Sequence, residues 1–323
     1  MNPYLGHENQ MAYVEEHRLV GGKGDGMRLL ELSNGIGLQL TVSADRCCDI
    51  SRLSFRGINM SYFAPCGYVA PGYYDCVGDG FLKSFTAGFL TTCGLHTVGS
   101  PGTDEGEELP LHGRVANLPA EWVRWERDEN VLRLEAEVSD AALFARKLTL
   151  RRRLEVSLHR NEFTLTDTVR NDGDRREPIE ILYHMNMGYP LLDEDSVLEI
   201  PSQRVSPRNR HAEEDIAHWM RIEKPQPGYE ERCYFHEFSG EGLAGIFQPK
   251  LGVGLKIHFD PRELGCFTEW KMMGVRDYVL GLEPGNCLPI GRAEMRKQGL
   301  LKFLQPGESS AYRLRVEMTS ELK

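Results

Sequence analysis

The sequence has no long apolar run, no Cys-x-x-Cys pair and no excess of basic residues. No apolar stretch approaches the roughly 20 positions needed to cross a bilayer, which excludes a membrane-spanning helix. The formal net charge of −10 opposes nucleic-acid binding, because phosphate contacts need a basic face. The first ten residues lack the basic and then apolar order of a secretory signal. We therefore expect a cytoplasmic protein without a membrane or nucleic-acid partner.

The eight cysteines are scattered and include no Cys-x-x-Cys pair, so zinc-ribbon and redox motifs are not indicated. Unpaired cysteines of this kind fit a reducing compartment, where they behave as small buried apolar residues. The adjacent Cys47 and Cys48 are expected to pack on the two faces of a strand. The glycine-rich run at residues 21–26 lacks the spacing and the following helix of a nucleotide loop, so it predicts a hairpin turn.

Alternation of apolar and polar residues dominates the rest of the chain. It predicts two long strands at residues 143–158 and 163–169, joined by a short polar turn into a hairpin. Candidate helices are few: one that Asp79 could cap, running through Phe85 and Phe89, and one at residues 212–220. We predict a single all-β domain over residues 1–323, a large antiparallel β-sandwich with few short helices. Further strands are expected at residues 121–127, 131–138, 252–259, 267–271, 278–283, 300–304 and 312–318.

Two long segments do not alternate. Residues 61–80 are rich in Tyr, Gly, Pro and Asp, and residues 99–109 are rich in Gly, Pro and acidic side chains. Loops of this length in a compact domain are usually functional or mobile. We expect both to form the rim of a binding cleft.

Three clusters place an ionisable residue within or beside an apolar strand, at residues 111–114, 182–190 and 280–286. A buried polar group there needs a partner or a function. For His184 alone a structural role and a functional role are equally compatible with the sequence. For His112 a functional role is slightly favoured. Glu283 follows Val279-Leu280-Gly281-Leu282, and such neighbours would raise its pKa into the range of a usable base. The alternative for Glu283 is an ion pair, for instance with Arg292.

Other residues have the chemistry to contact a sugar. Arg46 and Arg114 could donate paired hydrogen bonds, and Trp270 could stack on a sugar ring. Each has a structural alternative: Arg46 could pair with Asp49, and Trp270 could belong to the core.

The order of the clusters resembles the aldose 1-epimerase, or galactose mutarotase-like, superfamily. His112-Gly113 stands in the place of its first His-Gly motif, His184 with Asn186 in the place of its second, and Glu283-Pro284 in the place of its late glutamate. The resemblance covers most of the chain and implies a galactose mutarotase-like supersandwich. Asp45-Arg46 and Glu269-Trp270 depart from the family pattern at positions that would read sugar hydroxyls, which indicates a divergent branch.

The resemblance implies an isomerase that interconverts sugar anomers without a cofactor. Glu283 would be the base and His184 the acid of ring opening, while His112 would hold or polarise the sugar and Asn186 would orient a hydroxyl or the histidine. Three alternatives remain open: a non-catalytic carbohydrate-binding protein on the same scaffold, a metal-dependent isomerase or lyase, and a glycoside hydrolase. The metal-dependent enzyme would use His96, His112, His184 and Glu283 as ligands. The expected partner is a small sugar, and a homodimer is compatible with the sequence.

Overall fold

Antiparallel strands are the main regular structure of the computed structural model, which describes residues 3–321. The first twelve strands in chain order are β1 Tyr13–Arg18, β2 Arg28–Ser33, β3 Leu38–Ser43, β4 Asp49–Phe55, β5 Ile58–Asn59, β6 Tyr62–Phe63, β7 Ala87–Gly88, β8 Leu90–Leu95, β9 Gly102–Asp104, β10 Glu107–Leu109, β11 Trp122–Arg127 and β12 Val131–Ala141. The remaining strands are β13 Lys147–Ser157, β14 Glu162–Asn171, β15 Glu177–Met187, β16 Val197–Glu199, β17 Arg204–Pro207, β18 Arg232–Glu237, β19 Gly242–Gln248, β20 Val253–Phe259, β21 Cys266–Met273, β22 Tyr278–Gly285, β23 Lys302–Leu304 and β24 Ser309–Thr319.

Two large sheets form the framework. The first has eight strands in the order β11-β12-β13-β14-β24-β20-β19-β16, and the second has seven, β17-β18-β21-β22-β15-β23 with β8 also paired to β15. A five-stranded sheet runs in the order β1 to β5. One apolar core joins all three, because Leu154 and Leu165 of the first sheet, Leu282 of the second and Leu40 of the third belong to the same buried cluster. The predicted antiparallel β-sandwich is confirmed.

The expected hairpin is β13 paired with β14, in a register that places Leu154 opposite Leu165. The glycine-rich run lies between the antiparallel strands β1 and β2, as a turn that includes a short 3-10 helix at Gly22–Gly24. At the C-terminal end, β23 pairs with β15 whereas β24 pairs with β14 and β20. The Pro-Gly turn between β23 and β24 therefore carries the chain from one large sheet to the other.

Helices are short, as predicted. In the described residues the α-helices are α1 Arg210–Glu213 and α2 Arg292–Lys297. The same part of the chain has 3-10 helices at Glu8–Gln10, Gly22–Gly24, Pro71–Tyr73, Gly80–Lys83, Val115–Asn117 and Ile216–His218. No helix among residues 3–321 is long and apolar enough to span a membrane.

Three local predictions are wrong. The helix expected after Asp79 is only the 3-10 turn Gly80–Lys83, and the Asp79 side chain does not cap it. The helix expected at residues 212–220 is split in two, because Trp219 packs edge-on against the His236 ring at 4.8 Å between centroids and tertiary packing overrides the local preference. Cys47 and Cys48 lie in a buried turn after β3, both with positive φ (54° and 51°), rather than on a strand.

Candidate active site

The side chains that could do chemistry project from one face of the seven-stranded sheet. Along β15 the odd-numbered side chains, such as Tyr183 and Met185, join the main core, so His184 between them points to the opposite face. Thr268 of β21 lies directly opposite Glu283 of β22 in the antiparallel register. The pairing of Met185 with Leu282 brings Glu283 beside His184. Period-two alternation in three adjacent strands therefore assembles one polar floor.

This floor belongs to a cleft of about 310 Å³. That volume falls at the lower end of the range for small-molecule sites. Its flat and apolar wall includes Phe81, Phe85, Leu111 and Trp270. Both long segments expected to rim a cleft contribute to it, through Asp79 from one and Gly99, Ser100 and Pro101 from the other.

His184 and Glu283 form the centre of the floor. The Nε2 atom of His184 lies 3.3 Å from Oε1 of Glu283, and both side chains are almost fully buried. The approach is not aligned as a hydrogen bond, so within the described chain this Oε1 has no hydrogen-bond partner, nor do Nδ1 of His184 and Oγ1 of Thr268. Three buried polar atoms without partners are costly unless a ligand satisfies them.

The protonation of this pair is set by burial. Burial, reinforced by the charge of Glu231 and opposed by Arg208, raises the pKa of Glu283 well above its ordinary value. Burial and the neighbouring His112 lower the pKa of His184 to about 3. Burial thus favours the uncharged form of each group, a protonated carboxyl on Glu283 and a neutral imidazole on His184. A proton donor and a proton acceptor thus stand side by side.

His112 lies beside them, with its ring centroid 5.7 Å from that of His184 and 5.4 Å from that of Phe81. Its backbone has a left-handed φ of 56°. Burial lowers the pKa of His112 to about 4, so this imidazole is also neutral near pH 7. The Gly99 N–H donates to its Nδ1 at 3.3 Å, which leaves the ring proton on Nε2.

Asn186 is buried two residues beyond His184 on the same face of β15. Its Nδ2 donates to the backbone oxygen of His184 at 2.9 Å, and its carboxamide raises the pKa of that histidine against the larger effects of burial and His112. Asn186 does not line the cleft described above. Of the two roles expected for it, orienting the histidine agrees with this geometry, whereas contact with a sugar hydroxyl does not.

Trp270 belongs to a polar unit on the cleft wall that the sequence did not reveal. Its Nε1 donates to Glu231 at 2.7 Å, and Arg208 donates to the other carboxylate oxygen of Glu231 at 2.6 Å. Although burial raises the pKa of Glu231, these two hydrogen bonds bring it below its ordinary value, so the group is a carboxylate. The unit presents an acceptor and a donor side by side, an arrangement suited to adjacent hydroxyl groups.

Arg46 and Arg114 are not brought into the cleft. The guanidinium of Arg46 is buried and donates to three backbone oxygens, of Val69, Ser84 and Ala116, at 2.7 to 2.9 Å. It also does not make the expected ion pair with Asp49, whose carboxylate binds Arg152 instead. Arg114 pairs with the buried Asp140 at 2.6 Å. Arg46 therefore links neighbouring loop segments, and Arg114 joins its own loop to β12.

His96 is likewise outside the cleft, because its Nδ1 contacts Asp140 at 3.2 Å. Glu283 is not paired with Arg292, which instead binds Asp104 at 2.7 Å. Between residues 3 and 321 no group of three or more His, Cys, Asp or Glu side chains is arranged to hold a metal ion. The residue set named for a metal-dependent enzyme is therefore not assembled.

The site residues that sequence reasoning missed are Thr268, Arg208 and Glu231. Thr268 could have been found, because it shares the alternation of Trp270 on a predicted strand. Arg208 and Glu231 offered no such signal, since both lie in charged stretches between strands that read as solvated surface. Only the folding of those stretches over the sheet brings them to the cleft.

Comparisons with known proteins agree with this architecture. A family model described as "Domain of unknown function (DUF4432)" matches residues 24–318. No curated protein shows significant similarity to the chain. A solved structure of a candidate aldose 1-epimerase from Klebsiella pneumoniae is 27% identical, with a TM-score of 0.89 over 95% of this chain and 83% of its own.

More distant structures share the same architecture. The galactose 1-epimerase of Lactobacillus acidophilus is 14% identical, with a TM-score of 0.64 over 95% of this chain and 98% of its own. A galactose mutarotase-like protein of Clostridium acetobutylicum is 12% identical, with a TM-score of 0.71 over 96% of this chain and 99% of its own. At these identities they establish the fold alone. The expected galactose mutarotase-like fold is confirmed.

Proposed function

The chain belongs to the DUF4432 family, and we propose that it is an aldose 1-epimerase-like isomerase that interconverts the anomers of a sugar. The observation that carries the proposal is the contact of 3.3 Å between His184 Nε2 and Glu283 Oε1 on the floor of a cleft of sugar size. The likeness to the candidate aldose 1-epimerase of Klebsiella pneumoniae supports it.

The reaction needs one proton to enter and one to leave at neighbouring oxygens. A base takes the proton of the anomeric hydroxyl, the C1–O5 bond breaks as the C1=O1 bond forms, and an acid protonates O5. Rotation about C1–C2 turns the other face of the carbonyl towards O5, and the reverse transfers close the ring. The acid regains its proton and the base gives up the proton it took, so both groups return to their starting state and no cofactor is consumed.

The directions of the two pKa shifts bear on which group is the acid and which is the base of ring opening. The resemblance implies Glu283 as the base and His184 as the acid, yet burial favours a protonated Glu283 and a neutral His184 in the free protein. We therefore propose that the Glu283 carboxyl donates to the ring oxygen while His184 accepts from the anomeric hydroxyl. The opposite direction of proton flow follows in ring closure.

The remaining cleft residues would bind rather than react. The Nε2–H of His112 would donate to a sugar oxygen, and the pair of Arg208 and Glu231 would bind adjacent hydroxyls. Trp270 would hold the apolar face of the ring. Because the carboxylate of Glu231 already neutralises Arg208, this wall favours an uncharged sugar over an acidic one.

Anomeric exchange tests the proposal directly. Exchange between α and β signals is followed by NMR for a panel of aldoses, ketoses and acidic sugars with the wild-type chain and Glu283→Gln. We expect at least one neutral sugar to exchange faster than in buffer, and Glu283→Gln to abolish the acceleration. Glu294→Gln, on an exposed face of α2, is the matched control and should keep the wild-type rate. Binding without exchange would support a non-catalytic carbohydrate-binding protein instead.

Glu231 also gives the cleft a second carboxylate, which a glycoside hydrolase requires. Both oxygens of Glu231 already accept hydrogen bonds from Arg208 and Trp270, so it is poorly placed to attack an anomeric carbon. Release of nitrophenol from nitrophenyl glycosides in the same experiment would favour hydrolysis over the isomerase.

We propose the cytoplasm as the compartment, which the eight free cysteines support. The expected sugar partner, the exclusion of nucleic acid and membrane, and the homodimer stay predictions.

A further inference from the structure

His112 is held by a reciprocal set of hydrogen bonds with one glycine. The His112 N–H donates to the Gly99 oxygen at 3.0 Å, and the Gly99 N–H donates to the His112 Nδ1 at 3.3 Å. Because a backbone N–H can only donate, Nδ1 must be the unprotonated nitrogen, and the neutral ring carries its proton on Nε2. Nε2 has no hydrogen-bond partner within residues 3–321. Gly99 thus selects the tautomer that can donate to a ligand.

Gly99 is in turn fixed by its own surroundings. Its φ is 91°, and a Cβ atom built on it would lie 2.4 Å from the backbone carbon of Pro289, so only glycine fits. The residue before it is tied to the sheet, because the Val98 N–H donates to Oε2 of Glu180 at 2.8 Å. Glu180 lies on β15, four residues before His184 and on the same face.

Glu180 is a fully buried carboxyl that the proposed reaction does not use. Its second oxygen, Oε1, has no hydrogen-bond partner in the described part of the chain. A buried carboxyl with only one hydrogen-bonded oxygen destabilises the folded state. The hydrogen-bonded oxygen of Glu180, Oε2, holds the segment that positions His112.

We propose that Glu180 is a positioning residue for His112: by holding the Val98 N–H it fixes Gly99, and Gly99 fixes the imidazole with its Nε2–H available to the sugar. The inference rests on the proposed function for the identity of the ligand, but not for the geometry. Glu180 itself does not touch the substrate.

The first test compares Glu180→Gln, which keeps an acceptor oxygen, with Glu180→Leu, which removes it. Long-range 1H–15N NMR reports which ring nitrogen of His112 carries the proton, and His112→Gln identifies its signals. We expect the Nε2–H tautomer in wild type and Glu180→Gln, and a mixture of tautomers in Glu180→Leu. The kcat of anomeric exchange should fall about 10- to 100-fold in Glu180→Leu and be restored by glutamine. An unchanged tautomer in Glu180→Leu would overturn the proposal.

A second measurement needs no disruptive variant. Burial raises the pKa of Glu180 to about 7, and Asp104 adds to this effect. The Val98 N–H and the facing Arg292 and Arg296 act in the opposite direction, because they favour the carboxylate, but burial dominates. The Val98 amide signal and the His112 ring nitrogen signals should therefore titrate with a common midpoint in the wild-type chain, and neither should do so in Glu180→Gln. A Val98 signal that titrates while the His112 ring stays constant would refute the coupling. These signals are read without turnover, so a failure of the isomerase proposal and a failure of this inference are separate results.

Discussion

Replacing Glu283 by Gln should stabilise the folded protein increasingly as the pH rises. Glu283 is buried, and its pKa in the folded state lies well above its ordinary value, whereas in the unfolded chain it ionises near pH 4.5. Between these two pKa values the folded state keeps a proton that the unfolded state has released. The wild-type stability associated with this group is therefore present at low pH and is lost as the pH rises towards the folded pKa.

The size of the effect follows from proton linkage. Each pH unit in that interval lowers the wild-type free energy of unfolding by about 1.4 kcal/mol relative to a side chain that cannot ionise. Glutamine has nearly the same shape and no titrating proton. Between pH 5 and pH 7 the stability of Glu283→Gln relative to wild type should thus increase, by at most about 3 kcal/mol. The titration of His184 is shared by both chains and largely cancels in the difference.

Urea unfolding of both chains at pH 5, 6 and 7, followed by tryptophan fluorescence, measures this difference. Glu294→Gln is the matched control, because its carboxylate on the exposed face of α2 has a pKa lowered by Gln298 and Lys297. A group whose pKa is lowered by folding changes the stability only below its ordinary pKa, near pH 4.5. The difference in unfolding free energy between the control and wild type should therefore be constant between pH 5 and pH 7. A difference for Glu283→Gln that does not change with pH would refute the buried, protonated carboxyl and the proton assignment that depends on it.

Two further substitutions test the framework and the cleft wall. Arg152→Leu would leave the buried carboxylates of Asp49 and Asp167 without their shared cation, so the free energy of urea unfolding should fall by about 3 to 5 kcal/mol. The control is Arg151→Leu, on the exposed face of the same strand, which should lower it by at most about 1 kcal/mol. Equal losses in the two variants would contradict the argument. Trp270→Phe keeps a flat apolar face but removes the hydrogen-bond donor to Glu231. In the exchange assay KM should therefore rise about tenfold with little change in kcat. An unchanged KM would show that this hydrogen bond does not shape the cleft wall.

The fold was largely predictable because alternation is a local signal. Each side of β13 and β14 meets a different environment, so the order of apolar and polar residues records the strand and its buried face together. The helix expected at residues 212–220 failed for the converse reason, since distant packing decided its conformation. The assignment of residues 1–323 to one domain stays a prediction.

The candidate site was predictable only where its residues lie on strands. His184 and Glu283 come from β15 and β22, whose registers place them side by side. Arg46 looked equally suitable, but its three donors go to backbone oxygens that no sequence pattern identifies. Arg208 reached the cleft through a segment without periodicity, and its role depends on tertiary structure alone.

Consecutive residues of β15 show why the cleft, and not the core, is the place to expect a ligand. Tyr183 faces the core, where its hydroxyl donates to Asp167 at 2.9 Å and that carboxylate is in turn bound by Arg152 at 2.7 Å. His184 faces the cleft and is also buried, yet its Nδ1 has no hydrogen-bond partner among residues 3–321, and neither does the facing Oε1 of Glu283. Since both residues come from one strand, backbone geometry cannot explain the difference. Within a cleft a ligand supplies the hydrogen bonds that buried polar atoms lack, and the hydroxyls and ring oxygen of a sugar offer both the donors and the acceptors that these two atoms need.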